Sequence, residues 1–286
     1  MKIDRKIYIL PIIILTSILV FSIVKIPSKT KSKNLNYMKI HYIDVGQGDS
    51  ILIQTKNKNL LIDSGPGDNC SNIIKYLKSE KIKTLNYVIA THPHEDHIGA
   101  MSEIIKNFHV KKFYAPKITV NSSYFNNMIT SLQNKNLKII VPKPGDFFYL
   151  DKNTKCEILA PNSEHYENIN NYSIVNKITH YNNKFIFTGD IEKIGELELL
   201  NSNFDLKCDV LKVAHHGSSS SSCEEFLEKT KAKVAIISCG KNNDYRHPNK
   251  KTLLNLEKNN MQIYRTDING NVILISNGKK IVLSSK

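Results

Sequence analysis

The sequence lacks several features that mark particular protein classes. It contains no tryptophan, and its five cysteines form no C-x-x-C pair, which excludes a zinc ribbon and a dithiol redox motif. Their odd number leaves at least one thiol unpaired, and scattered cysteines are typical of buried apolar positions. No segment of roughly 20–50 residues repeats, which excludes solenoids and propellers. These absences favour one or two ordinary globular domains for a chain of 286 residues.

The charge of the chain is strongly one-sided. The formal net charge is +14, and residues 1–33 contribute +6 of it through seven lysines and arginines against one aspartate, which leaves +8 for the rest. A basic protein attracts nucleic acid, anionic lipid or a polyanionic wall polymer. A solvated, lysine-rich surface explains the same charge equally well, so composition alone does not choose a partner.

One uncharged stretch is long enough to cross a membrane. Ile7 to Val24 spans 18 residues and follows three basic side chains. We expect a transmembrane helix at about residues 7–24, with residues 1–36 as membrane anchor and linker and residues 37–286 as the folded domain. A cleaved signal peptide and a buried core helix are the alternatives, but no A-x-A-like site follows. The chain would then be a single-pass cell-membrane protein that contacts lipid, with its domain outside the cytoplasm. Basic residues flank both sides of the span, so the positive-inside rule does not by itself choose this orientation.

Hydrophobic patterns divide the remaining residues into strands and helices. Met38–Val45 and Ile51–Thr55 predict a hairpin around a glycine-rich turn, and Asn69–Ser79 predicts an amphipathic helix. Further predicted elements are a strand at Asn59–Ile62, a hairpin of Ser173–His180 with Lys184–Phe187, helices at Ile98–Phe108, Glu192–Leu200 and Asn249–Asn259, and strands at Val110–Ala115, Asp209–Val213, Val234–Ile237, Met261–Tyr264, Asn271–Ile275 and Lys280–Leu283. Periodicity alone therefore indicates an α/β or α+β protein.

The densest polar cluster lies between a strand pattern and a helix pattern, where α/β proteins often place their chemistry. Residues 91–97 read Thr-His-Pro-His-Glu-Asp-His. His92 and His94 are two positions apart and can point to the same side, while Asp96 and His97 begin the helix. Imidazole together with carboxylate suits Zn(II), Mn(II) or Fe(II) rather than Ca(II) or Mg(II). The alternative is a surface loop that happens to be rich in histidine.

This H-x-H-x-D-H motif resembles that of the metallo-β-lactamase-fold hydrolases. An ordered set of further motifs resembles the hydrolase domain at the carboxyl terminus of ComEC-type DNA-uptake proteins. These motifs lie at residues 44–50, 91–99, 188–191, 211–218, 237–240, 245–248 and 264–267. The resemblance spans roughly residues 38–275. It implies an α+β fold, a four-layer αβ/βα sandwich with its active site along one edge where strands end.

The resemblance also implies a centre of one or two divalent metal ions, Zn(II) or Mn(II). The implied ligands are His92, His94, Asp96, His97, Asp190 and His216. A carboxylate at Asp190 can bridge two cations, although alone this residue would fit a turn or a helix N-cap. His216 is preferred to His215 because it directly precedes small turn residues, and the choice between the two stays open.

Three residues are candidates for the catalytic chemistry: Asp96, His215 and His247. His215 would position substrate or donate a proton. His247, beside Arg246, would hold or protonate an anionic substrate, and a capping loop without chemistry is the alternative. Asp63 matches the early aspartate of the resembled family and would orient loop backbone or a histidine, or have only a structural role.

Two departures from the resembled proteins affect the expected function. ComEC-type proteins carry a large multi-helix membrane channel, whereas this sequence predicts one span at most. Many metallo-β-lactamase proteins also supply another histidine before the position of Asp190. Here residues 170–173 read Asn-Asn-Tyr-Ser, so the first metal site would be weak, or completed by Asn171 or water. His165 and His180 are the other candidates.

These motifs together predict a membrane-anchored, metal-dependent hydrolase, a phosphodiesterase or nuclease acting on DNA through metal-activated water. One alternative is a phosphodiesterase acting on a cell-wall polymer, such as a choline ester of teichoic acid. Another is a membrane-tethered DNA-binding protein with a catalytically weak site, which the incomplete first metal site would favour.

Overall fold

The computed structural model describes residues 37–284. The predicted transmembrane helix at residues 7–24 and the linker to residue 36 lie outside this range and stay predictions. Between Tyr37 and Ser284, no helix combines the length and the apolar character that a membrane span requires.

Strands and helices alternate along the described residues. The strands are β1 (Met38–Tyr42), β2 (Ile51–Gln54), β3 (Asn59–Ile62), β4 (Thr84–Leu85), β5 (Tyr87–Ile89), β6 (His109–Val110), β7 (Phe113–Tyr114), β8 (Ile139–Ile140), β9 (Phe147–Asp151), β10 (Thr154–Ala160), β11 (Val175–His180), β12 (Asn183–Phe187), β13 (Val210–Lys212), β14 (Val234–Ile237), β15 (Gln262–Arg265), β16 (Val272–Ser276) and β17 (Ile281–Leu283). The α-helices are α1 (Cys70–Ser79), α2 (Glu95–Ile98), α3 (Met101–Asn107), α4 (Ser123–Asn134), α5 (Lys193–Asn201), α6 (Glu224–Thr230), α7 (Lys250–Lys258) and α8 (Thr266–Asn269). Single 3-10 turns lie at Ile169–Tyr172 and Ala214–Gly217.

Two large sheets carry most of these strands. The order in the first sheet is β17-β16-β1-β2-β3-β5-β7-β8, and the order in the second is β15-β14-β13-β12-β11-β10-β9. Strands β3, β5, β7 and β8 are parallel in the first sheet, and β12 to β15 are parallel in the second. Parallel strands end at the same edge of a sheet, so the loops that follow them gather there.

Alternating side chains bury both faces of each sheet. On β1, Ile40 and Tyr42 face the second sheet, where Tyr42 stacks on Phe187 with ring centroids 6.1 Å apart. The intervening His41 points to the opposite face and its Nδ1 lies 2.8 Å from the hydroxyl of Tyr76 on α1. Helices α1, α3 and α4 pack on the outside of the first sheet, and α5, α6 and α7 on the outside of the second. The predicted four-layer αβ/βα sandwich is therefore confirmed.

Several predicted elements have different bounds in the structure. Both predicted hairpins are confirmed, since β1 pairs with β2 and β11 with β12 in antiparallel register. The predicted helix Ile98–Phe108 is divided, because α2 ends at Ile98 and α3 begins only at Met101. The predicted strand Val110–Ala115 is two short strands, because β6 pairs with β4 while β7 pairs with β5.

Candidate metal centre

Side chains from both sheets meet where the parallel strands end. Helix α2, which follows β5, supplies Asp96 and His97, the turn after β12 supplies Asp190, and the turn after β13 supplies His216. One ligand atom from each of these four residues lies within 4.8 Å of the other three. We call this set the donor cluster. Residues far apart in the sequence therefore converge on one point.

Distances within the donor cluster are short. His216 Nε2 lies 3.1 Å from Asp96 Oδ2 and 3.2 Å from Asp190 Oδ2. His97 Nε2 lies 3.2 Å from Asp190 Oδ2 and 3.8 Å from Asp96 Oδ2, and the two Nε2 atoms are 3.2 Å apart. Three of the four side chains are buried, whereas that of Asp96 is 26% exposed. The cluster therefore opens to solvent on the side of Asp96.

Hydrogen bonds behind the two imidazoles fix their tautomers. His97 Nδ1 lies 2.8 Å from Asp63 Oδ2, and His216 Nδ1 lies 2.9 Å from the carbonyl oxygen of Ser238. A carboxylate and a carbonyl oxygen only accept, so each Nδ1 donates and each Nε2 faces the cluster, where it could bind a cation once its proton is lost. Asp63 also accepts from the backbone N–H and hydroxyl of Thr91, each at 2.7 Å. It thus orients both the loop and a histidine.

The charges of the donor cluster hold one another in place. Burial alone would lower the pKa of His97, but Asp190, Asp96 and Asp63 raise it well above the usual value. The same balance against burial, dominated by Asp190, raises the pKa of His216 to about 10. Burial would raise the pKa of Asp190, but His216 and His97 hold it well below the usual value. Without a cation, both histidines are therefore protonated and their protons lie against the carboxylates. A divalent cation can take the place of these protons.

A second pair of donors adjoins the cluster. His92 Nε2 lies 3.0 Å from His94 Nδ1, and His92 Nδ1 lies 3.2 Å from Thr91 Oγ1. Because the Thr91 hydroxyl gives its proton to Asp63, it accepts from His92, and the Nε2 lone pair of His92 faces His94. Burial lowers the pKa of both His92 and His94. Both rings are thus neutral at pH 7, which is the form that binds metal.

Asp190 belongs to the donor cluster and is linked to His92 through the hydroxyl of Ser173. Its Oδ2 faces His97 and His216, whereas its Oδ1 is buried and makes no hydrogen bond within the described chain. Its backbone N–H donates to Ser173 Oγ at 3.0 Å, and the same hydroxyl lies 3.3 Å from His92 Nδ1. An orphaned oxygen on a buried carboxylate requires a partner. The donor types and this oxygen fit a divalent cation.

The remaining catalytic candidates lie at the rim of the cluster. His215 Nε2 is 3.8 Å from Asp190 Oδ2, so the structure places His216 rather than His215 inside the donor cluster. The His215 and His247 rings meet edge to face at 5.5 Å, and Tyr245 stacks on His247. Burial lowers the pKa of His215, and burial with the neighbouring histidines lowers the pKa of His247 to about 4. Both rings are therefore neutral at pH 7 in the cation-free protein.

The three candidates for completing the first metal site differ in their surroundings. His165 is exposed in a loop, and His180 lies 2.7 Å from Ser276 Oγ through its Nδ1. Asn171 uses its side-chain oxygen to accept from the backbone N–H of Glu192 at 2.9 Å. None of these three contacts His92 or His94 through a described hydrogen bond.

A buried ion pair supports the donor cluster and was not predicted from the sequence. Lys212 Nζ lies 2.7 Å from Asp49 Oδ2, with both side chains almost fully buried. The other oxygen, Asp49 Oδ1, is 4.0 Å from His216 Nδ1. A lysine within an apolar strand pattern is a signal for such a pair, because buried lysines need an anion.

Three residues at the site have left-handed backbone conformations. His215 and His216 have φ values of +50° and +53°, and Asp63 has a φ of +57°. Each such residue costs about 1–2 kcal/mol unless its side chain is small or absent. Strained backbone conformations of this kind are concentrated at functional sites, where contacts with the surrounding structure stabilise them.

A glycine turn packs directly against Asp96, and this contact gives a testable prediction. At Gly48 (φ +133°) a Cβ would lie 2.3 Å from the carbonyl oxygen of Asp96, whereas at Gly46 (φ +77°) it would meet nothing within 4 Å. We expect Gly48→Ala to displace the 91–97 loop and weaken Mn(II) binding at least about tenfold. Gly46→Ala should cost only about 1–2 kcal/mol of backbone strain and leave the affinity unchanged. Equilibrium dialysis measures the Mn(II) affinity of each variant, and urea denaturation measures its free energy of unfolding. Equal Mn(II) affinities for the two variants would contradict the prediction.

Comparison with known proteins identifies the family of this chain. The metallo-beta-lactamase superfamily profile matches residues 43–241, a span that contains both groups of donors. The chain belongs to the metallo-beta-lactamase superfamily. Within solved members of this fold, it is similar to the metallo-beta-lactamase fold protein YhfI from Bacillus subtilis, with a TM-score of 0.58, 16% identity, and coverage of 84% of this chain and 100% of that chain.

Curated relatives in the superfamily are much longer than the matched region. The chain is 34% identical over 252 residues to ComE operon protein 3 of Bacillus subtilis, covering 82% of this chain and 32% of the relative. It is 28% identical over 239 residues to Recombination protein 2 of Haemophilus influenzae, covering 82% of this chain and 28% of the relative. The chain thus spans about a third of the length of these relatives. The resemblance drawn from the sequence motifs is confirmed.

Proposed function

We propose that this superfamily member is a divalent-metal-dependent hydrolase that cleaves the phosphodiester bonds of DNA. The observation that carries the proposal is the convergence of the donor cluster beside the His92–His94 pair, whose His92 ring lies 4.2 Å from that of His97. Two neighbouring cations suit in-line displacement at phosphorus, because the attacking and leaving oxygens can each meet one. The net charge of +14 favours an anionic polymer, and the similarity to a recombination protein favours DNA. The donor types fit Zn(II) or Mn(II).

The residues at the centre have different proposed roles in hydrolysis. A cation held by the donor cluster would lower the pKa of water at the centre towards about 7. Asp96 is the most exposed residue of the donor cluster, so it faces the incoming substrate and is placed to accept a hydrogen bond from the attacking water. His215 and His247 border the same opening as neutral rings, where their N–H groups can donate to phosphate oxygens.

The same proposal places the protein at the cell membrane. The uncharged residues 7–24 would form a single-pass anchor, and the basic residues on either side would contact anionic lipid. With the hydrolase domain outside the cytoplasm, the site would meet DNA at the cell surface. Protease treatment of intact cells tests this orientation, since a protected domain would contradict it.

A substrate panel tests the proposed activity. The full chain, purified in detergent and freed of metal with EDTA, is reloaded with Mn(II) or Zn(II) and given DNA oligonucleotides, a nitrophenyl phosphodiester and a choline phosphodiester. We expect metal-dependent cleavage of DNA and of the nitrophenyl ester, and none by Asp96→Ala. If the loaded wild type and Asp96→Ala both leave DNA intact, the nuclease proposal is wrong.

Two other outcomes of the panel would select the alternative functions. Hydrolysis of the choline phosphodiester without DNA cleavage would select an enzyme of wall-polymer metabolism. DNA binding with a steep salt dependence but no cleavage by any metal form would select a binding protein with a weak site.

A further inference from the structure

An exposed aromatic side chain lies at the entrance to the metal centre. Tyr245 is 69% exposed in the loop between β14 and α7. Its ring stacks on that of His247, with centroids 5.7 Å apart and planes inclined by 23°. The His247 ring in turn meets that of His215 at 5.5 Å, and His215 directly precedes His216 of the donor cluster. Three rings therefore lead from solvent to the donor cluster, and Tyr245 is the outermost.

The loop that carries Tyr245 is fixed in position. Asn243 accepts from the backbone N–H of His247 at 2.9 Å through its Oδ1, and its Nδ2 donates to the carbonyl oxygen of His247 at 2.6 Å. Pro248 packs so closely on Gly217 that a Cβ at that glycine would lie 2.6 Å from Pro248 Cβ. The Tyr245 ring is therefore preorganised, which lowers the entropy lost when a ligand binds to it.

Cationic side chains share this loop with Tyr245. Lys241, Arg246 and Lys250 are all exposed, and Asp244 is the only acidic residue among residues 240–250. Arg246 also has a left-handed backbone conformation, with a φ of +55°, which is strained for a residue with a Cβ. An aromatic ring together with exposed cations is the combination with which proteins bind single-stranded nucleic acid, because the ring stacks on a base while the cations meet phosphates.

Only an unpaired base offers its face to such a ring. In a duplex, neighbouring base pairs cover both faces of each base, and a base must leave the stack before a side chain can cover it. Two ring contacts separate Tyr245 from His215, which borders the opening of the donor cluster. A base that stacks on Tyr245 would therefore belong to a nucleotide close to a phosphate held at the donor cluster.

We propose that Tyr245 stacks on an unpaired base next to the phosphodiester at the donor cluster, so that the site selects single-stranded DNA over duplex DNA. Such stacking strengthens binding roughly 5- to 150-fold per base and tolerates any sequence, because every base has a face. The inference rests on the DNA hydrolysis proposed above and deepens it, because it names the form of DNA that the site accepts.

Binding in EDTA tests the inference without turnover. The full chain in detergent is titrated with fluorescent oligothymidylate, with an abasic strand of the same length, and with a duplex of oligothymidylate and oligoadenylate, and anisotropy gives each Kd. The abasic strand carries the same phosphates, so this comparison removes the contribution of charge. We expect the wild type to bind oligothymidylate at least about tenfold more tightly than either other ligand. Tyr245→Ala should lose this preference, and Tyr245→Phe, which keeps the ring, should retain it.

A matched control removes an exposed tyrosine elsewhere. Tyr149 on β9 is 48% exposed, and its ring meets that of Phe147 at 5.7 Å. Tyr149→Ala should keep the wild-type preference for oligothymidylate. Thermal unfolding in EDTA shows whether each variant is folded.

Turnover by the Mn(II)-loaded protein provides a second readout. Tyr245→Ala should raise KM for oligothymidylate more than it lowers kcat, because the ring binds a base rather than the reacting atoms. An equal loss on oligothymidylate and on the abasic strand would show that Tyr245 only supports His247, and the inference would be overturned.

The remaining outcomes separate the inference from the proposed activity. Wild-type binding of the duplex or the abasic strand as tight as that of oligothymidylate overturns the inference whatever is cleaved. Tyr245-dependent hydrolysis of a choline phosphodiester without a preference for oligothymidylate also overturns it, since a quaternary ammonium can meet the same ring face. If the preference for oligothymidylate depends on Tyr245 but no DNA is cleaved, the inference stands and the proposed function fails.

Discussion

Asp190→Asn is expected to reduce metal-dependent phosphodiester hydrolysis at least about a thousandfold, which corresponds to about 4 kcal/mol of transition-state stabilisation. The substitution keeps the shape of the side chain but removes the charge that faces His97 and His216 at 3.2 Å. The donor cluster should therefore lose cation affinity.

A matched control separates loss of the centre from a general effect of the substitution. Asp146 is exposed in the turn between β8 and β9, where its Oδ2 accepts from the backbone N–H of Lys143. Asp146→Asn should leave turnover and bound metal unchanged. Turnover is measured with a nitrophenyl phosphodiester, and bound metal by elemental analysis. Full metal content in Asp190→Asn would show that this residue is not a ligand.

Lys212→Met is expected to destabilise the protein by about 3–5 kcal/mol, the largest effect on stability that the described ion pairs predict. Lys212 Nζ is fully buried 2.7 Å from Asp49 Oδ2 and also donates to the carbonyl oxygen of Val213. Methionine fills much of the same volume but leaves the buried Asp49 carboxylate without the cation that contacts it, since the His216 ring lies 4.0 Å away. The cost comes from this unpaired charge rather than from the loss of the pair itself.

Two further variants test that explanation. Asp49→Asn in the Lys212→Met background removes the unpaired charge and should recover part of the lost stability. Lys258→Met breaks an exposed pair with Glu224 and should leave the denaturation midpoint unchanged. Urea denaturation with comparison of slopes measures all three. Equal midpoints for Lys212→Met and Lys258→Met would show that the buried pair does not stabilise the fold.

Much of the metal centre could be predicted because its residues follow apolar strands. Strand β3 has the predicted bounds Asn59–Ile62, and the polar residues after β5, β12 and β13 meet as strand ends must. Local pattern also gave the correct hairpins. The sheet that each closing strand would join was not predictable from local pattern: β15 extends the second sheet, whereas β16 returns to pair with β1 in the first.

Contacts between distant loops could not be predicted in the same way. Asp49 lies in the turn before β2 of the first sheet and Lys212 ends β13 of the second, so their pairing depends on how the two halves pack. Asn170 lies in a polar loop without periodicity, and nothing local separates it from Asn171. Only the structure shows that the Asn171 oxygen caps the start of α5 while the Asn170 amide group donates to Glu192.

The two imidazoles of the donor cluster are held by partners of different kinds. His216 donates to the main-chain oxygen of Ser238, which every amino acid would supply at that position. His97 donates to the Asp63 side chain, which a single codon change removes. A substitution at Ser238 therefore does not remove the hydrogen bond that holds His216. A substitution at Asp63, in contrast, would change how His97 is held. It could alter the cation affinity without replacing any residue that would touch the ion.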